Sequence, residues 1–218
     1  MGNMSPSDIA KEVLSLFKEV GAIITDSHIV GTSGRHMADY FNKDAVYPHT
    51  AKISRIGELI AKLHEERGIE VVVGPAIGGI IISQWTAHHL SRLTGREVLG
   101  TFTEKTPEND QIFKRGYEKL VAGKRVLIVE DVTTTGGSVK KVVDRVKEAG
   151  GDVLAVTVIV NRDSAKITSS SIGAPFFPLA VMETPSYDAS TCPMCEKNIP
   201  VNTMVGHGKK FLESKESS

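Results

Sequence analysis

At 218 residues, with 26 basic side chains balancing 26 acidic ones, the chain carries no formal net charge at pH 7. Its 40% hydrophobic and 24% charged content is that of a packed domain, which excludes general disorder, a collagen-like chain and a disulfide scaffold. The length fits one large domain, or a domain with a small appendage.

A neutral chain lacks the non-specific attraction to nucleic acid or anionic lipid that a basic one has, so neither is expected as a partner. Charge runs through the first twenty residues without the basic, apolar, small-residue order of a secretory signal, so a cytoplasmic protein is expected. Between Ser7 and Val20 the residues Ile9, Val13, Leu14, Leu16, Phe17 and Val20 recur at helical spacing, with Ser7 or Asp8 available as N-cap. The next thirty residues mix short apolar runs with Gly31, Gly34 and Pro48 and read as a short-stranded subdomain with loops. From Ser54 to Arg67 a second helix is predicted, with Ile56, Leu59, Ile60 and Leu63 on one face and Gly68 as its stop.

Strands and helices then alternate. A strand at 70–75 is followed by a glycine-bearing turn, a helical run at 80–93, a strand at 97–102 and a charged loop from Glu104 to Gly116. A strand at 125–130, a helix at 138–150 and a continuous apolar strand at 152–160 complete the pattern. The longest apolar runs, near Val71–Val73 and Val153–Val160, are far short of the roughly 20 residues that cross a bilayer, so no membrane span is expected. Apolar strands alternating with amphipathic helices predict an α/β fold with a parallel sheet covered on both faces. The expected organisation is a helix and small subdomain at 1–53, a core at 54–186, and an extension at 187–218 that carries Cys192-Pro193-Met194-Cys195 and ends in a frayed tail.

The most informative stretch runs from Val126 to Ser138: four apolar residues, the acids Glu130 and Asp131, Val132, three threonines at Thr133–Thr135, Gly136, Gly137 and Ser138, then a helix. A Thr/Gly turn between a strand and a helix N-terminus offers backbone N–H groups and hydroxyls to a phosphate monoester. The two acids repel a phosphate but accept hydrogen bonds from sugar hydroxyls, which suits a ribose 5-phosphate. Their negative charge near the anomeric carbon favours an oxocarbenium-like transition state. Neither GxxxxGK[ST] nor a GxGxxG following a strand occurs, so kinase and dehydrogenase readings lose ground.

This segment resembles the signature of the type I phosphoribosyltransferases: a hydrophobic strand, two acids, and a Thr/Gly loop that holds the 5-phosphate of phosphoribosyl diphosphate. The resemblance implies a parallel sheet flanked by helices with a small N-terminal hood. It makes Glu130 and Asp131 the ribose ligands and catalytic acids, and Val132 and Thr133–Ser138 the phosphate-binding run. Further segments resemble the orotate phosphoribosyltransferases, in a branch with a Pro-Ala-x-Gly-Gly turn. Ala76, Ile77, Gly78 and Gly79 correspond to its pyrophosphate loop. Lys105 and Arg115 match its catalytic-loop cations, which neutralise the departing pyrophosphate, with Lys105 taken as catalytic. Thr32 to His36, with Tyr40 and Phe41, resembles the hood segment whose aromatics face the orotate ring, and Arg162 matches the arginine that pairs with the orotate carboxylate. Thr134 is uncharged where hypoxanthine-guanine enzymes have aspartate and adenine enzymes usually have alanine, which favours orotate as the base.

Thr32, Gly78 and Glu104 depart from the lysine, lysine and arginine of many orotate enzymes, and the loop between Lys105 and Gly116 has no histidine. The resemblance also implies Mg²⁺ with the diphosphate and a homodimer. The alternatives are a phosphoribosyltransferase for another base, purine or uracil, or a regulator that senses phosphoribosyl diphosphate on the same fold. No resident protein-bound metal site is expected: Cys192 and Cys195, even with His207, fall short of the four ligands of structural zinc, and the other histidines show no ligand spacing.

Overall fold

The computed structural model describes residues 4–31 and 33–216. In chain order the elements are α1 (Pro6–Lys18), β1 (Ile23–Ile24), β2 (Ile29–Val30), β3 (His36–Met37), β4 (Tyr40–Phe41), α2 (Thr50–His64), β5 (Val71–Pro75), α3 (Gly78–Thr94) and β6 (Leu99–Lys105). They continue with β7 (Gln111–Ile112), α4 (Glu118–Val121), β8 (Arg125–Thr133), α5 (Gly137–Glu148), β9 (Asp152–Asn161), α6 (Ser169–Ile172), β10 (Ala180–Val181), β11 (Ser186–Tyr187), α7 (Pro193–Glu196) and α8 (Gly208–Glu216). Among the described residues no helix is long and apolar enough to cross a membrane.

Two compact units emerge, and they divide the chain differently from the expected 1–53, 54–186 and 187–218. One joins Met1–Leu16 to Val46–Met182; the other joins Phe17–Ala45 to Glu183–Ser218. The reason is strand pairing. Ser186 and Tyr187 of β11 align antiparallel with Met37 and His36 of β3, which also pairs with β2, so the C-terminal extension completes a sheet begun by the N-terminal segment. The expected frayed tail is in part the helix α8.

The first unit holds a six-stranded sheet in the order β10-β9-β8-β5-β6-β7, parallel except for β7. Its central strands β5, β8 and β9 carry continuous apolar runs because helices cover both faces. Val139, Val142, Val143 and Val146 of α5 pack on Val71, Val73, Val126 and Ile128; α3 lies against β5, β6 and β8, and α2 packs on α3. Gly57 of α2 meets the backbone of Trp85 and Thr86 so closely that a Cβ there would have to displace it.

Two local expectations are corrected. The first helix is capped by Ser5, not Ser7 or Asp8: its hydroxyl accepts from the Asp8 amide at 3.2 Å, and Pro6 takes the first helical position, where a missing N–H costs nothing. The charged loop at 104–116 is partly a hairpin. Glu104 and Lys105 pair antiparallel with Ile112 and Gln111, and Arg145 of α5 fastens the turn through the Gln111 carbonyl at 2.8 Å and Asp110 at 3.1 Å.

His64 closes α2 fully buried, with Nε2 2.7 Å from the Thr157 hydroxyl and its ring edge-on to Phe177. Burial pushes its pKa down to about 3. Between that value and the unfolded value near 6.5, the unfolded chain binds a proton that the folded chain does not, so stability is lost as the pH is lowered through this window. Lowering the pH from 7 to 5 therefore costs about 2 kcal/mol at this site. Urea unfolding at both pH values in wild type and His64→Gln reads it: the variant loses about that much of the pH difference, and an unchanged difference would count against a neutral buried imidazole.

Candidate active site

In the six-stranded sheet, the chain leaves β5 toward β6 on one side and reaches β8 on the other, so the switch in strand order lies between β5 and β8. Open parallel sheets bind ligands at the carboxyl ends of the strands flanking such a switch. Val71, Val72 and Val73 of β5 align with Val126, Leu127 and Ile128 of β8. The segments that follow, Gly74–Gly79 and Glu130–Ser138, therefore lead away from neighbouring strand ends.

Beyond β8 the chain turns through Thr134 and Thr135 to Gly136, whose φ of 76° lies in the left-handed region that glycine adopts without penalty, and enters α5 at Gly137. The Thr133 hydroxyl accepts from the Gly136 amide at 3.0 Å, and Thr133 is 4% exposed. Thr133 thus shapes the loop from within, whereas Thr134, Thr135, Gly137 and Ser138 are exposed. Val132 remains in the strand, opposite Val160 of β9.

Glu130 is 9% exposed and Asp131 2%. Asp131 Oδ1 accepts from the Val132 amide at 2.6 Å, and Oδ2 accepts from the Tyr47 hydroxyl at 2.6 Å. Tyr47, just ahead of α2, is a site residue that sequence reasoning missed; no local motif marks it, and only the fold brings it to a residue 84 positions away.

The turn after β5 explains its glycines by contact. Cβ atoms on Gly74 and Gly79 would each strike the other's backbone. A Cβ on Gly78 would lie well inside 3.0 Å of both Asp131 Oδ2 and the Tyr47 hydroxyl. Gly78, Asp131 and Tyr47 thus form one tight group, which accounts for glycine where many orotate enzymes have lysine. The peptide between Ala76 and Ile77 is cis, and Ile77 is exposed.

The predicted cations occupy different settings. Lys105 ends β6 exposed. Arg115, with Lys114, is ion-paired to Glu104 and lies over the Phe102 ring at 5.6 Å, so Glu104 serves as an anchor for the arginine that sequence alone assigned to pyrophosphate. Arg162 follows β9, and its amide donates to the Thr133 carbonyl at 3.0 Å, which puts its backbone next to the start of the Thr/Gly loop.

In the second unit, Phe41 corrects an expectation. Its ring is 4.3 Å from that of Phe17 and it is 4% exposed, so it is a packing residue with no open face for a ligand ring. Tyr40, half-buried beside it in β4, pairs with Ile24. Thr32 lies outside the described residues; His36 is fully buried.

Comparison with known proteins agrees with this geometry. A family model for the phosphoribosyl transferase domain matches residues 42–172. A protein from Caldanaerobacter subterraneus named orotate phosphoribosyltransferase is 39% identical over 194 residues, covering 88% of this chain and 94% of its own. One of the same name from Desulforamulus reducens is 35% identical over 190 residues, covering 87% and 93%. Among solved structures, a phosphoribosyltransferase from Corynebacterium diphtheriae superposes with a TM-score of 0.62 at 25% identity, covering 79% of this chain and 95% of its own. A strand ending in two acids, a Thr/Gly loop opening a helix, and a family match over that region together place the chain in the phosphoribosyltransferase family.

Proposed function

We propose that the protein is an orotate phosphoribosyltransferase, transferring the 5-phosphoribosyl group of phosphoribosyl diphosphate to orotate. The bond from C1 of the ribose to the diphosphate oxygen breaks, a bond from C1 to the orotate ring nitrogen forms, and the nitrogen's proton is released. The products are orotidine 5-phosphate and pyrophosphate. The observation that carries this reading is the acidic pair at the end of β8 beside the Thr/Gly loop, both at the switch point of the sheet.

In this reading the exposed amides and hydroxyls of Thr134, Thr135, Gly137 and Ser138 receive the 5-phosphate at the N-terminus of α5. Glu130 and Asp131 accept from the ribose hydroxyls, and their charge favours positive charge building at C1 as the diphosphate departs. Tyr47 fixes which oxygen of Asp131 remains for the sugar. Ala76, Ile77, Gly78 and Gly79 let the diphosphate approach backbone that no Cβ obstructs, and Lys105 supplies positive charge to the leaving pyrophosphate. Arg162 pairs with the orotate carboxylate in a two-point contact, and Thr134 offers the base an uncharged hydroxyl.

Two carboxylates beside a glycine-lined turn are hard oxygen donors that fit Mg²⁺ bound together with substrate phosphates. When bound, the ion neutralises diphosphate charge. The reading extends to a cytoplasmic homodimer, in which Lys105 of one subunit serves the other's site.

The test is the ultraviolet absorbance of orotate when the purified chain is mixed with orotate, phosphoribosyl diphosphate and Mg²⁺, with purines and uracil in parallel. Magnesium-dependent loss of orotate is expected. Consumption of a purine or uracil instead would overturn the base, and binding of phosphoribosyl diphosphate without turnover of any base would favour a sensor.

A further inference from the structure

We propose that the second unit holds a structural zinc ion between His28, His36, Cys192 and Cys195. Their ligand atoms, one from each side chain, all lie within 4.8 Å of one another. His28 Nε2 is 2.7 Å from His36 Nδ1 and 3.6 Å from Cys195 Sγ, and Cys195 Sγ is 3.4 Å from His36 Nδ1. Cys192 Sγ is 3.7 Å from His28 Nε2. A tetrahedral ion with Zn–S near 2.3 Å and Zn–N near 2.05 Å requires sulfur and nitrogen about 3.6 Å apart and two nitrogens about 3.3 Å apart. The three sulfur–nitrogen separations bracket that value, and the two nitrogens need to part by about 0.6 Å.

The hydrogen bonding of the imidazoles points the same way. His28 Nδ1 is 2.7 Å from the Ile199 carbonyl, which can only accept, so Nδ1 carries the proton and Nε2 turns a bare lone pair into the cluster. Metal-bound histidines are oriented in just this fashion, the second ring nitrogen donating to a backbone carbonyl. His36 then has two choices. If its Nδ1 is protonated it donates to His28, and its Nε2 becomes a buried acceptor with no hydrogen-bond partner among the described residues. If Nδ1 is bare, two lone pairs face each other at 2.7 Å. A cation takes both lone pairs and removes that repulsion, while Nε2 lacks a hydrogen-bond partner among the described residues in either tautomer.

Ligand type selects the ion. Two thiolates and two imidazoles in tetrahedral reach suit zinc, and four protein ligands leave no open coordination position, so the ion is structural rather than catalytic. Each pair of ligands comes from one local device. His28 precedes β2 and His36 opens β3 of the same hairpin, and Cys192 and Cys195 flank the start of α7, with Pro193 in its first turn. The β3–β11 pairing brings the devices together from opposite ends of the sequence. The strands of this unit are only two residues long, too short to hold such distant segments by ladder bonds alone, and a zinc ion supplies the cross-link.

The full-length chain, purified from zinc-supplemented cells and dialysed against a weak chelator, is assayed for metal by mass spectrometry, then exchanged with Co²⁺. About one zinc per chain is expected. The cobalt form should show intense tetrahedral d–d bands with thiolate-to-metal charge transfer. His36→Gln and Cys195→Ser, read only where circular dichroism shows a folded chain, should weaken cobalt affinity by roughly 100-fold, at least the loss expected from removing a supporting residue. Wild-type protein is decisive by itself. Substoichiometric zinc with no charge-transfer band, or an octahedral cobalt spectrum, overturns the site, as does a wild-type spectrum that folded His36→Gln leaves unaltered.

Discussion

Asp131→Asn is expected to lower kcat/KM by about 100-fold while leaving the melting temperature nearly in place. The substitution keeps the shape of the side chain: its one carbonyl oxygen still accepts from the Val132 amide and its NH2 can donate to the Tyr47 oxygen, but the negative charge is gone. A charge-assisted hydrogen bond is worth about 1.5–3 kcal/mol, and a carboxylate facing the positive charge that builds at C1 acts most strongly in the transition state. Together these amount to roughly a factor of 100, at 1.36 kcal/mol per tenfold. The loss should fall on kcat as well as on kcat/KM, because the charge matters most when the diphosphate is leaving. Steady-state kinetics beside thermal melting read it. Parallel loss of activity and several degrees of melting temperature would mean that Asp131 is chiefly structural, held at 2% exposure for packing reasons. Tyr47→Phe offers a graded companion: it leaves the carboxylate charged but frees Oδ2, so a smaller loss, about tenfold, is expected from mispositioning alone.

The sheet was legible because its central strands are buried on both faces, and such a strand is a short run told from a buried helix by its length and its enrichment in Val and Ile. Val126–Val129 and Val153–Val160 are such runs, and each is found in the sheet. The helices flanking them were legible from periodicity, and Gly68, at a φ of 65°, does end the helical segment as its position predicts. The second unit was far less legible. Strands of two residues have no measurable alternation, and nothing local tells Tyr187 that its partner is His36. Splitting the termini into separate segments was therefore the natural reading of a sequence whose decisive pairing spans some 150 positions.

The candidate site follows the same division. Residues in the contiguous motif at 130–138 could be nominated because strand, acids, hydroxyls and glycines follow one another along the chain. Tyr47 and the His28/His36 pair could not, since each acquires its meaning from a distant partner. Cys192 and Cys195, even with His207, fall short of a metal site in the sequence; the histidines proposed to join them, His28 and His36, have a spacing that matches no common pattern, because a hairpin rather than a helix sets their separation. Arg115 illustrates the converse. Its motif suggested an anion ligand, but its guanidinium is ion-paired to Glu104, eleven residues earlier, across the β6–β7 hairpin segment.

Gly78→Ala supplies the sharpest test of how the turn after β5 and Asp131 of β8 depend on each other. By intrinsic propensity the change should stabilise the chain, since Gly78 opens a helix and alanine is the better helix former by about 1 kcal/mol. Its backbone is not in the left-handed region, so alanine meets no conformational barrier of its own. What it meets is Asp131 Oδ2 and the Tyr47 hydroxyl, both inside 3.0 Å of the new methyl group. Overpacking of this kind costs about 1–3 kcal/mol, and here the group that must yield is the carboxylate that the proposed reaction sets against the sugar. The expected result is a melting temperature that falls instead of rising, with kcat/KM reduced at least tenfold. Adding Tyr47→Phe removes one of the two obstructing atoms and releases Asp131 to rotate, so the double variant should recover part of the activity lost by Gly78→Ala. The coupling in that double-mutant cycle should be favourable by about 1 kcal/mol. Strict additivity would mean that the alanine methyl acts elsewhere, through the cradle for the diphosphate and not through the tyrosine–aspartate pair.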